Sequence, residues 1–100
     1  MVTIIAGDRG FSDYQKFCDV LEDFGTDITF VFTMGRSAPN TFGMKWAFHN
    51  NLPCREFPQD GKKRMIAEAE DLIYFKKKKT QPNLVKLSRA GGLEVYEHEF

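Results

Sequence analysis

Arg9, Arg36, the triplet Lys62-Lys63-Arg64 and the unbroken run Lys76 to Lys79 all stand next to glycines or turn formers. Guanidinium forks and lysine ammonium groups in such places are the side chains that hold phosphate oxygens. Each also has a plainer use. Arg9 and Arg36 can pair with Asp8 or Asp60 at the surface, and a lysine run blunts an exposed strand end. Asp8 is the one tip carboxylate expected to touch a ligand, able to accept hydrogen bonds from a ribose or base or to act as a base. No Ser/His/Asp order or pair of turn carboxylates accompanies it. His49 and His98 stand apart from any nucleophile, Glu68 and Glu70 read as solvated helix residues, and Cys18 and Cys54 fit no metal spacing. The inventory suits holding an anion better than transforming one.

Positioning those residues requires strands that end at the turns. Val2 to Ala6 is a short continuous apolar run, the pattern of a strand covered on both faces. Gly7-Asp8-Arg9-Gly10 ends it, and Ser12 is the expected cap of a helix whose apolar stripe is Tyr14, Phe17, Cys18, Leu21 and Phe24, stopped by Gly25. Ile28 to Met34 predicts a second strand, and Arg36 to Asn40 a loop. Asn40 or Thr41 then caps a helix through Asn50, with Trp46 in the core. Cys54 to Phe57 predicts a third strand, Pro58 to Gly61 a turn, Lys62 to Glu70 a helix and Asp71 to Phe75 a fourth strand. A helix from Gln81-Pro82 to Gly91-Gly92 precedes a last strand, Leu93 to Tyr96. Such alternation, with short connections, predicts an α/β fold: a Rossmann-like three-layer sandwich around a mainly parallel sheet of about five strands. In open α/β sheets ligands bind beyond the carboxyl ends of the strands, which is where the cationic turns fall. The dinucleotide glycine fingerprint is absent, since Gly7-Asp8-Arg9-Gly10 lacks its spacing.

One hundred residues make a single domain, 1–100, with one core. Ten Phe and 42% hydrophobic residues exclude disorder. The 14 basic and 14 acidic residues cancel, which argues against general attraction to nucleic acid or an anionic membrane, so anion binding must be local. No segment reaches the roughly 18 apolar residues of a membrane span. A reduced cysteine pair and no leader pattern lead to the expectation of a soluble, cytoplasmic protein.

The ordered motifs resemble the SLOG superfamily, the Rossmann-like group with YspA-like, DprA and LOG-type members, over nearly the whole chain. Ile4 to Tyr14 is similar to the YspA-like opening, with Asp8 in place of a serine. Thr33 to Asn40 resembles a Gly-rich loop that here keeps one glycine. Trp46-Ala47, Leu52-Pro53, Phe57-Pro58, Gly61 to Met65 and Ala69 to Phe75 resemble the segments that follow. The family's glycine-rich phosphate loop is replaced by Lys76 to Thr80, and Gln81-Pro82-Asn83 stands where LOG-type hydrolases have a glutamate.

This resemblance implies a nucleotide or nucleotide-derived signalling molecule bound at the strand tips without turnover and without a cofactor. Sequestration of a defence signal by a phage-encoded protein, in the host cytoplasm, is its specific extension. In that reading Arg9, Arg36, Lys62 and Arg64 contact phosphates, and Gly7, Gly35, Ser37, Gly61 and Lys79 belong to the same ligand-binding set. Asp8 and Asn40 orient the ribose or base, Phe11 stacks on it, and Thr80 with Asn83 closes the site. Alternatives are a degenerate protein-interaction module and, more weakly, a nucleotide N-glycoside hydrolase. A homodimer or higher homo-oligomer built on apolar helix faces is expected as well.

Overall fold

Each apolar run becomes a strand, and each amphipathic stretch between runs becomes a crossover helix. The computed structural model describes residues 1–35 and 38–100. Their order is β1 (Val2–Gly7), α1 (Tyr14–Glu22), β2 (Phe30–Met34), α2 (Ala38–His49), β3 (Cys54–Phe57), α3 (Lys62–Glu68), β4 (Asp71–Lys76), α4 (Asn83–Ala90) and β5 (Glu94–Glu99). The strands lie in the order β3-β2-β1-β4-β5, and every neighbouring pair is parallel. The expected α/β sandwich is therefore present, with a sheet that is wholly parallel.

Alternate residues of β1 point to opposite layers. Ile4 and Ala6 pack with Met65, Ile66 and Val85 of α3 and α4, whereas Ile5 packs with Phe17, Leu21, Trp46 and Ala47 of α1 and α2. Because helices cover both faces, β1 needs no polar alternation. Thr3 is its one polar buried residue, and its hydroxyl donates to Asp71 Oδ1 at 2.7 Å. Trp46 is core, as its helical spacing indicates.

Several boundaries differ from the sequence expectation. Asp13 rather than Ser12 caps α1, because its backbone is extended and its carboxylate reaches the Lys16 N–H at 3.1 Å. Such a cap contributes about 1 kcal/mol. The helix α2 begins at Ala38, which places Asn40 and Thr41 inside its first turn instead of at its cap; Pro39 suits that turn because its fixed φ is already helical. The strand β5 continues to Glu99. Its Glu94, Glu97 and Glu99 hide it from a search for apolar runs, yet it pairs with β4 from Asp71↔Glu94 to Lys76↔Glu99. Cys18 is half-buried in α1 and Cys54 is exposed on edge strand β3, both as free thiols. Among the described residues, no helix is long and apolar enough to cross a membrane.

Candidate functional site at the strand tips

The strand order reverses between β1 and β4. From β1 the chain crosses to β2 on one side, and from β4 it crosses to β5 on the other, so the carboxyl ends of β1 and β4 mark the topological switch point. Two turns meet there, Gly7 to Phe11 and Lys76 to Pro82. Gly7 is required by close approach: a Cβ would stand 2.7 Å from the Phe75 carbonyl oxygen and 2.8 Å from Pro39 Cγ.

Asp8 joins the two turns. Its N–H donates to the Phe75 carbonyl at 2.8 Å. The Tyr74 hydroxyl donates to Asp8 Oδ1 at 2.8 Å, and the Lys77 N–H donates to Oδ2 at 3.0 Å. The Thr80 hydroxyl lies 2.8 Å from Oδ2 and 2.9 Å from the Lys77 carbonyl oxygen, so its single proton serves one acceptor at a time. Burial pushes the Asp8 carboxyl upward, but the Lys77 N–H, the Tyr74 and Thr80 hydroxyls and the Lys77 ammonium together outweigh it and hold the group below its ordinary value. Burial, then the Asp8 carboxylate, pushes the Tyr74 phenol upward, so it remains a donor. Asp8 is thus an ionised carboxylate with both oxygens engaged.

This geometry corrects two expected roles. Asp8 orients the chain's own β4–α4 turn, and its oxygens point to Tyr74, Lys77 and Thr80 rather than outward. Phe11 is 2% exposed; its ring stacks on Phe75 at 4.7 Å and lies 4.9 Å from Phe100. A ring packed in that way has no face left for a base.

The cations divide into two groups. Arg9, Lys77, Lys78 and Lys79 are exposed on the paired turns, and among the described residues none of them has a salt-bridge partner. Lys76, by contrast, is 4.0 Å from Glu97. Arg64 is drawn along α3 to Glu68 at 3.5 Å by their i, i+4 spacing, and Glu68 also pairs with Arg55 of β3 at 3.6 Å. Lys62 is half-buried at the start of α3 behind Gly61, whose N–H bonds the Pro58 carbonyl at 2.9 Å.

Beyond β2, Gly35 adopts φ +78°, where a side chain is disfavoured. A Cβ there would lie 3.0 Å from Gln59 Nε2 and 3.9 Å from Asn40 Nδ2, so this turn, the first turn of α2 and the turn after β3 converge. Asn40 is 6% exposed and faces that junction, which argues against a ligand-orienting role. Asn83 is exposed as the first residue of α4. Arg36 and Ser37 lie outside the described residues.

Sequence reasoning named Asp8, Arg9, the lysine run with Lys79, and Thr80, which the fold brings together, but missed Tyr74 and the Lys77 N–H as donors to Asp8. Tyr74 carried a usable signal, since a tyrosine inside a buried strand must find a partner for its hydroxyl. Among the described residues, no three His, Cys, Asp or Glu side chains are grouped to hold a metal. Comparison with protein-family models, with curated proteins and with solved structures finds no match to this chain.

Proposed function

We propose that the protein binds a nucleotide or nucleotide-derived anion at the tips of β1 and β4 and holds it without turnover, in the manner of a sequestering or sensing module. The observation that carries this reading is the exposed group Arg9, Lys77, Lys78 and Lys79 at the switch point of a molecule whose formal charges sum to zero. A local field of that kind attracts phosphate without drawing the whole surface to nucleic acid. The engaged state of Asp8 supports binding over catalysis, because a carboxylate that already accepts from Tyr74 and Lys77 and lies against Thr80 is a poor proton acceptor.

A melting-temperature screen against mono-, di- and cyclic nucleotides and ADP-ribose derivatives tests it. At about 100 times its dissociation constant, a ligand specific to the native state adds about 2.7 kcal/mol. For a domain of this size that raises Tm by roughly 10 °C or more. The ligand should be recovered chemically intact after heating. A flat screen removes the reading, and an altered ligand replaces binding by hydrolysis. A protein-interaction module is the second reading, favoured by one observation: the Lys77 N–H and the Thr80 hydroxyl of the β4–α4 turn are already engaged by the chain's own carboxylate.

A further inference from the structure

The turn that carries the tip lysines is held in a conformation that lysine avoids. Among the described residues other than glycine, only Asn51 and Lys79 take a positive φ, 56° and 65°. Asn51 lies just past the end of α2, where asparagine commonly adopts this conformation. Lys79 is the unexpected one, because a left-handed backbone crowds a Cβ against a carbonyl oxygen and ordinarily calls for glycine. It occupies the third position of a turn closed by the Thr80 N–H on the Lys77 carbonyl at 3.4 Å. So long a bond is a weak clasp for a strained turn.

Asp8 grips both ends of it. Its Oδ2 accepts from the Lys77 N–H at 3.0 Å and lies 2.8 Å from the Thr80 hydroxyl. Behind the carboxylate, the bond from the Tyr74 hydroxyl to Oδ1 and the bond from the Asp8 N–H to the Phe75 carbonyl, both 2.8 Å, fix its aim. The Lys77 side chain turns back over Gly10, with Cε 3.5 Å and Nζ 3.8 Å from where a Cβ of that residue would stand. Its charge helps to keep Asp8 ionised. Lys77 is thus a counter-ion within the tip, and Arg9, Lys78 and Lys79 are the exposed cations that remain.

We propose that Asp8 is a positioning residue for anion binding: by clamping the Lys77–Thr80 turn in its left-handed form it presents Lys78 and Lys79 beside Arg9, and so strengthens the binding of phosphate oxygens that it does not touch. This inference rests on the reading of the tips as an anion site. A phosphate that took over the carboxylate's donors would leave an ionised group stranded among buried neighbours.

Charge alone predicts the opposite sign, since a carboxylate beside these cations repels phosphate. Two variants that remove the same charge separate the effects. Asp8→Asn keeps an oxygen able to accept from Lys77 and Thr80, whereas Asp8→Ala keeps none. The difference is read by titration calorimetry of the full chain with inorganic pyrophosphate, at a temperature where melting curves show both variants folded. Asp8→Asn should bind at least as tightly as the wild type, and Asp8→Ala roughly tenfold more weakly, because two long side chains lose their preorganisation. The 15N heteronuclear NOE of residues 77–80 should fall in Asp8→Ala alone. Equal affinities in the two variants, or tighter binding by Asp8→Ala than by the wild type, would overturn the proposal and leave the tip reading standing, with Asp8 no more than a competitor or a bystander. A wild type that binds neither pyrophosphate nor any nucleotide would remove both.

Discussion

Two carboxylates of opposite behaviour, half-buried Asp8 and buried Asp71, account for much of what single residues do here. Asp8 is held ionised by the Lys77 N–H and the Tyr74 and Thr80 hydroxyls, so its contribution is present above the ordinary carboxylate value and is lost as pH falls through its lowered one. Asp8→Ala should cost about 2 kcal/mol, since it strands the buried Tyr74 hydroxyl and frees the β4–α4 turn. Urea melts should show the full deficit at pH 7 and a narrower one in acid. Asp71 runs the other way. It is 2% exposed, with Oδ1 bonded to Thr3 and Oδ2 without a hydrogen-bond partner among the described residues. Burial raises its carboxyl; the Thr3 hydroxyl and the N-terminal ammonium oppose the rise, and the Glu70 and Glu94 carboxylates add to it. The native state therefore favours the protonated form, and Asp71 stabilises least once pH has risen above its raised value. Asp71→Asn should melt higher than the wild type at pH 7, with the gap closing toward pH 3.8, the ordinary aspartate value.

At the scale of elements, strands with continuous apolar runs were legible, and so was the helix that carries Trp46. The misplaced boundaries have different causes: the start of α1 is set locally by the Asp13 carboxylate on the Lys16 N–H, whereas the end of β5 is fixed by a partner far away in sequence. The extension of β5 to Glu99 comes from pairing with β4, and its polar residues have no apolar run to betray them. The tip residues Asp8 and Arg9 could be named from turn chemistry, whereas the Tyr74–Asp8 bond spans 66 residues and the burial of Phe11 depends on Phe75 and Phe100. Gly7 tests how tightly the tips are built. Gly7→Ala would force a Cβ against the Phe75 carbonyl and the Pro39 ring, and overpacking of that kind costs about 1–3 kcal/mol. An unchanged Tm in this variant would mean that the β1 and β4 tips yield more easily than their geometry indicates.

Across the whole molecule, charge is segregated although the total is zero. From Asp13 to Asp27 the chain carries five acids and one lysine, while from Lys76 to Arg89 it carries six cations and no acid. The sheet places the start of that cationic segment at its switch point, next to Arg9. A neutral chain thereby presents one end rich in exposed cations, and the hydrogen bonds of Asp8 hold the turn that bears the lysines. The most direct test is a 1H–15N amide shift map recorded while the nucleotide with the largest thermal shift is titrated in. Binding at the tips predicts saturable changes confined to residues 8–10 and 77–80, reduced in Arg9→Ala. Changes centred on another surface, or none at saturating nucleotide, would contradict it.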